Sequence, residues 1–183
     1  MSDKRRRVIR AESEKIWQMC VFSMLGAIMF VSKIAMEALP NIHLVGMLTV
    51  TYTVVYRSKA LIPIYIYVMM NGVFSGFGIW WIPYLYIWTV LWGATMLLPR
   101  RMPRWARCAV YPTLCALHGL AFGILYAPAQ ALFYGLNFEQ TIAWIVAGLG
   151  FDVIHCIGNF ALGLLILPLS EVLSKLSKSH LKR

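Results

Sequence analysis

Residues 82–110 read IPYLYIWTVLWGATMLLPRRMPRWARCAV. An uncharged run over 82–98 stops at Pro99, meets Arg100, Arg101, Arg104 and Arg107, and gives way to apolar sequence again from Cys108. A membrane span closed by a positive loop has this form, because Lys and Arg collect on the cytoplasmic side of a bilayer. The pattern repeats in both directions. Sixteen of the seventeen basic residues lie in four patches: Lys4, Arg5, Arg6, Arg7, Arg10 and Lys15; Arg57 and Lys59; the Arg100 to Arg107 group; and Lys175, Lys178, Lys182 and Arg183. The alternate gaps, around 37–43, 80–84 and 137–140, hold no Lys or Arg. The chain is therefore expected to start inside, cross an even number of times and end inside. Lys33 is the one basic residue within an apolar stretch.

Composition agrees with a lipid-solvated chain. It is 60% hydrophobic and 13% charged, with a mean hydropathy of +0.69. The net charge of +10 sits beside apolar runs, where it suits anionic inner-leaflet lipid, and no basic stripe on a water-soluble face suggests nucleic acid. Cys20, Cys108, Cys115 and Cys156 form no C-x-x-C pair, so neither a disulfide framework nor a zinc site is suggested. The first apolar run is too long for a signal peptide and ends without a small-residue cleavage pattern, so it reads as a permanent span.

At about 20 residues per crossing, six spans are expected, over 16–39, 43–56, 61–79, 82–98, 109–134 and 141–167. Together they make an all-α integral membrane protein, a six-transmembrane-helix bundle with N and C termini cytoplasmic. The chain forms a single membrane domain over 1–183: a basic segment over 1–15, the bundle over 16–169 and a cytoplasmic tail over 170–183. An open sheet cannot face lipid, and the short alternating strands of a barrel are missing. Span 2 is the weakest, because Thr49 to Val55 is largely β-branched and must rely on packing to stay helical. Small residues four apart, at Ser23 and Ala27, Gly72 and Gly76, Gly119 and Gly123, and Asn159 and Gly163, let helices approach closely or offer a docking face.

Ionisable groups inside a membrane are costly and usually functional. Lys33 and Glu37 stand one turn apart near the outer end of span 1, either as an internal ion pair or facing a shared cavity. Asp152, His155 and Asn159 project from one face of span 6. There a carboxylate and a histidine could bind a metal, relay protons, contact a substrate or orient each other. His118 and Asn71 read as interhelical hydrogen-bonding groups, whereas Tyr126 and Gln130 are placed to meet something arriving from outside. Trp80, Trp81, Tyr84, Tyr86, Trp88 and Trp92 crowd the turn between spans 3 and 4. Part of that cluster is an interface belt. Trp88 and Trp92 run deeper, one turn apart, as stacking walls for a flat ligand would.

The segment FDVIHCIGNFALGLL over 151–165, followed by Pro168 and Leu169, resembles the last span of substrate-binding S components of energy-coupling factor (ECF) transporters. Six spans in about this length and a small-residue motif in span 1 are similar to that family as well. The resemblance implies a non-enzymatic subunit, without cofactor or metal, in a bacterial or archaeal cell membrane. Such a subunit captures a water-soluble vitamin or related micronutrient, then docks on a transmembrane coupling protein driven by two cytoplasmic ATPases. No G-x-x-x-x-G-K-[ST] phosphate loop is present, so an ATP-dependent step belongs to a partner. The family's A-x-x-x-A docking motif maps to Ser23 and Ala27, where serine replaces the first alanine. Its ligand site, in the outer half under the loop between spans 1 and 2, maps to Lys33, Glu37, Asn41, Asn71, Trp80, Trp81, Tyr84, Trp88, Tyr126, Gln130 and Asp152, with His155 on the same face of span 6. The competing readings are a self-sufficient proton-coupled transporter using Asp152 and His155, an intramembrane enzyme lacking an obvious third catalytic group, and an assembly protein that binds no metabolite.

Overall fold

The computed structural model describes residues 3–181, and these are helical almost throughout, with no strand among them. The α-helices are α1 (Asp3–Ala35), α2 (Val45–Tyr56), α3 (Leu61–Ser75), α4 (Tyr84–Leu97), α5 (Arg104–Leu120), α6 (Phe122–Tyr134), α7 (Phe138–Gly163) and α8 (Ile166–Leu181). Short 3-10 turns, Arg57–Ala60 and Ile79–Trp81, precede α3 and α4. The all-α expectation holds.

Three segments are long and apolar enough to cross a bilayer: Ala11–Ala35, Arg104–Tyr134 and Phe138–Gly163. With 12, 15 and 14 residues, α2, α3 and α4 extend only about 18–23 Å at 1.5 Å per residue, short of a hydrocarbon core of about 30 Å. The expected spans also differ in their ends. Span 1 begins as a helix at Asp3, so the basic segment is continuous with it, and it stops at Ala35. Span 5 divides at Ala121 into α5 and α6. Span 6 starts at Phe138, where Asn137 and Gln140 exchange side-chain-to-backbone hydrogen bonds of 2.9 Å in a capping box. The expected tail is mostly α8, whose Ile166 and Leu167 are buried.

The weak helix sits at the centre. Every residue from Val45 to Thr53 is buried, and α2 touches α1, α4, α5, α7 and α8. Burial on all sides holds the β-branched run in a helix that its propensity alone would not sustain. Two of its hydroxyls bond within the helix, Thr51 Oγ1 donating to the Met47 carbonyl at 2.9 Å and Thr53 Oγ1 to the Thr49 carbonyl at 2.7 Å, and the Tyr52 hydroxyl donates to the Leu25 carbonyl of α1 at 3.2 Å. Phe22, Met29, Ile64, Tyr67, Leu91 and Ile166 complete the core around it.

Helices α5 and α7 pack most closely. A Cβ at Gly163 would stand 2.8 Å from Pro112 Cα, and one at Gly119 would stand 2.9 Å from the His155 carbonyl oxygen, so only glycine permits this approach. Asn159 Nδ2 donates across the interface to the Cys115 carbonyl at 3.2 Å. On α1 it is Gly26 that meets α3, at Ile66, leaving Ser23 exposed and Ala27 half-buried. Gly76 does not belong to the packing set. It has φ +85° and ψ 144°, with nothing within 4 Å of a Cβ placed there, so it ends α3 in a backbone conformation that glycine adopts readily.

Three polar contacts link the neighbourhoods of the four basic patches. Lys59 Nζ donates to Gln18 Oε1 on α1 at 2.9 Å, Arg57 Nη2 donates to the Met96 carbonyl at the end of α4 at 2.9 Å, and Arg104 lies 3.8 Å from Glu171 on α8. Lys59, Arg57 and Arg104 thus each reach a neighbouring helix.

Candidate functional site

Between α1 and α2 the chain turns through residues 36–44, with Asn41 at φ +57°, a conformation that asparagine tolerates better than most residues. Under this turn lies a cavity with two lobes. The larger, of about 610 Å³, is lined by Trp80, Tyr126, Gln130, Tyr134, Trp144, Gly148, Phe151 and Asp152. The smaller, of about 180 Å³, is lined by Lys33, Met36, Glu37, Leu39, Ile42, His43, Tyr84 and His155. Pro40, Asn41 and Phe122 line both lobes and so join them.

Most of the expected site residues therefore meet. Lys33, Glu37, Asn41, Tyr84 and His155 face the smaller lobe, and Asn41, Trp80, Tyr126, Gln130 and Asp152 the larger. Asn71, Trp81 and Trp88 line neither. Asn71 is fully buried and donates to the Tyr67 carbonyl at 2.9 Å, and Trp81 Nε1 donates to the Val68 carbonyl at 2.8 Å. Trp88, 1% exposed, has the rings of His43, Tyr67, Tyr84, His118 and Phe122 within 6.0 Å of its own. It backs the wall rather than forming it. Helix α1 ends two residues before Glu37, and among the described residues no ion pair joins Glu37 to Lys33, so the internal salt bridge is not formed.

Asp152 has a specific structural task. Where α6 starts after the break at Ala121, the Gly123 N–H is aimed at the carboxylate, 3.1 Å from Oδ1 and 3.2 Å from Oδ2. The carboxylate satisfies a free donor at a helix N-terminus inside the bundle and meets the positive end of the helix dipole. A side chain at position 123 would collide with Asp152, so the glycine and the carboxylate are matched. His155 is not hydrogen-bonded to Asp152 in this arrangement. His118 Nε2 lies 3.1 Å from the Ile87 carbonyl, which is the interhelical bond expected of it.

His43, Phe122 and Trp144 were not singled out by the sequence. A signal for Trp144 did exist: the face carrying Asp152, His155 and Asn159 continues outward through Gly148 to Trp144 at spacings of four. Phe122, Tyr126 and Trp144 all line the larger lobe and form a continuous chain of ring contacts. Phe122 and Tyr126 are inclined by 33° at 6.1 Å, and Tyr126 and Trp144 are stacked at 22° and 5.9 Å. Tyr126 is held by its hydroxyl, which donates to the Trp80 carbonyl at 2.8 Å. The smaller lobe holds His43 and His155, edge to face at 4.9 Å, with His43 Nδ1 and His155 Nε2 lacking partners. Among the described residues, no three His, Cys, Asp or Glu side chains gather as a metal site.

A second hollow, of about 770 Å³, lies between α1 and α3 and is lined by Phe30, Ile62, Ile66, Met69, Val73 and Phe74 among others. Its apolar lining fits the acyl chains expected around such a bundle. The two-lobed cavity instead combines aromatic faces with a few directional polar groups, which is the composition of a small-molecule site. Compared with known proteins, the chain matches no family model, no curated protein and no solved structure.

Proposed function

We propose that this protein is the substrate-specific binding subunit of an ECF-type importer in a bacterial or archaeal cell membrane. It takes a water-soluble, vitamin-like molecule from outside and delivers it through a transmembrane coupling protein and two cytoplasmic ATPases. The observation that carries the reading is the two-lobed cavity, built from α1, the 36–44 turn, the Trp80 region, α6 and α7.

In this reading the chain crosses six times with both termini inside. Among the described residues, the contacts of Lys59 with Gln18, of Arg57 with Met96 and of Arg104 with Glu171 fit that orientation, since each brings a basic residue beside a helix that carries or adjoins another basic patch. The short helices α2, α3 and α4 are matched to the bilayer by local adjustment, the lipid adapting to a modest mismatch. The cavity then opens at the end opposite the basic patches, under the Pro40 and Asn41 turn, where a nutrient arrives. Ser23 on α1 is free of the chain's own core, as a surface used for docking must be.

The test is direct. Chain purified from rich medium is denatured, and the released small molecules are identified by mass spectrometry. The identified compound is then offered to proteoliposomes holding the chain alone or with an ECF module and ATP. Uptake that needs the module supports the reading. Uptake by the chain alone under a proton gradient, lost in Asp152→Asn, replaces it with the self-sufficient transporter.

A further inference from the structure

The cavity wall carries Lys33, Glu37 and Asp152, and what each of these charges already meets points to what the cavity holds. In the larger lobe the one ionisable carboxylate is already committed, because Asp152 accepts the Gly123 N–H against the N-terminus of α6. In the smaller lobe Glu37 is exposed on the rim, beyond the end of α1, where water screens it. Lys33 is partly buried in the same lobe, and no ion pair reaches it among the described residues. A partly buried cation without an ion pair favours an anionic partner.

The histidines give a second, independent indication. His155 is 2% exposed, lines the smaller lobe and leaves Nε2 without a hydrogen-bond partner, as His43 leaves Nδ1. Buried polar atoms are normally satisfied, so unpartnered ones on a cavity wall mark where a ligand's polar group belongs. A neutral imidazole can donate from either nitrogen according to its tautomer, so both rings can serve an anion beside Lys33. The other lobe favours a ring: Phe122, Tyr126 and Trp144 line it in consecutive ring contact, beginning at the residue the two lobes share.

We infer that the occupant is a small planar ring acid. Its ring lies along the Phe122, Tyr126 and Trp144 wall, and its carboxylate reaches Lys33 with His155 and His43 as hydrogen-bond partners. This rests on the binding-subunit reading and narrows the class of compound that such a subunit takes.

The experiment uses the full chain in lipid nanodiscs. Nicotinate, orotate and pterin-6-carboxylate are titrated beside their amides, beside the aliphatic acid succinate and beside the cationic ring N-methylnicotinamide, with binding read by tryptophan fluorescence and thermal shift. The expected result is a ring acid that binds at least tenfold more tightly than its amide. That preference disappears in Lys33→Met and returns in Lys33→Arg, while Trp144→Leu weakens acid and amide alike. A ring acid among the molecules released from the purified chain supports the same conclusion. An amide, succinate or the cationic ring binding as tightly as the acids, or a preference unchanged in Lys33→Met, overturns the inference. So does release of an aliphatic or cationic metabolite, though that leaves the importer reading standing. Release of nothing, with no binding by any probe, overturns both.

Discussion

Removing the carboxylate at position 152 separates a helix cap from a ligand contact. Asp152→Ala leaves the Gly123 N–H without its acceptor at the start of α6, inside the bundle, where the wild-type carboxylate is 5% exposed. A hydrogen bond to a charged group contributes about 1.5–3 kcal/mol, and an anion at a partly buried helix N-terminus adds about 0.3–2 kcal/mol. Alanine also escapes the desolvation cost of the buried carboxylate, which pulls the net loss toward about 2–3 kcal/mol. For a chain of this size that corresponds to a fall in Tm of roughly 5–10 °C. Asp152→Asn keeps one acceptor oxygen and loses only the charge, so its fall should be about half as large.

The assay is thermal unfolding of ligand-free chain in nanodiscs, followed by tryptophan fluorescence. A second substitution makes the test specific, because Gly123→Ala forces a methyl group against the carboxylate. In the wild-type background it should destabilise, and in the Asp152→Ala background most of that cost should vanish, a coupling that only touching residues show. If Asp152→Ala melts within a degree of wild type, or Gly123→Ala costs the same in both backgrounds, the capping argument is wrong and Asp152 is retained for the cavity instead.

Trp88→Ala should cost about 3–5 kcal/mol, as for other buried large side chains, and lower the Tm of the ligand-free chain. Trp144→Ala should barely move the Tm yet weaken ligand binding, and the reverse ranking would mean that Trp88 faces the ligand. Gly163→Val should destabilise by about 1–3 kcal/mol through overpacking against the Pro112 backbone. Gly148→Ala, which meets nothing within 4 Å, should hold or raise the Tm while reducing binding, because Gly148 lines the larger lobe; unchanged affinity would move the ligand elsewhere. Ala27→Trp should block co-purification with an ECF coupling protein while leaving ligand affinity intact, and loss of both would place Ala27 in the bundle's own packing.

The helical architecture and much of the cavity were legible from the chain because both follow from where charge and apolar length fall. Basic patches at every second gap order the helix ends, and that ordering put Lys33, Asn41, Trp80, Tyr126 and Gln130 on one side before any contact was known. What escaped notice depends on contacts between distant residues. The break at Ala121 carries no local stop signal, and Gly123 read as half of a small-residue pair with Gly119. Its partner lies 29 residues away on another helix, a separation that no window along the chain joins. Trp88 misled for a related reason: its spacing from Trp92 gives a helix face, but only the packing of other helices tells whether that face meets a cavity or a core.

The polar residues among the apolar helices divide by what their atoms already do. Asp152 caps α6, Asn159 and Asn71 donate to carbonyls, and His118 engages Ile87, so each has at least one bond that accounts for its place among apolar neighbours. Among the described residues Lys33 has no ion pair and His43 Nδ1 and His155 Nε2 have no hydrogen-bond partner, and all three residues line the same small lobe under the Asn41 turn. A polar group in hydrocarbon that holds nothing together is a liability to a bundle of this kind. Three of them converging on one space favour a partner from outside the chain, with its polar end in the smaller lobe.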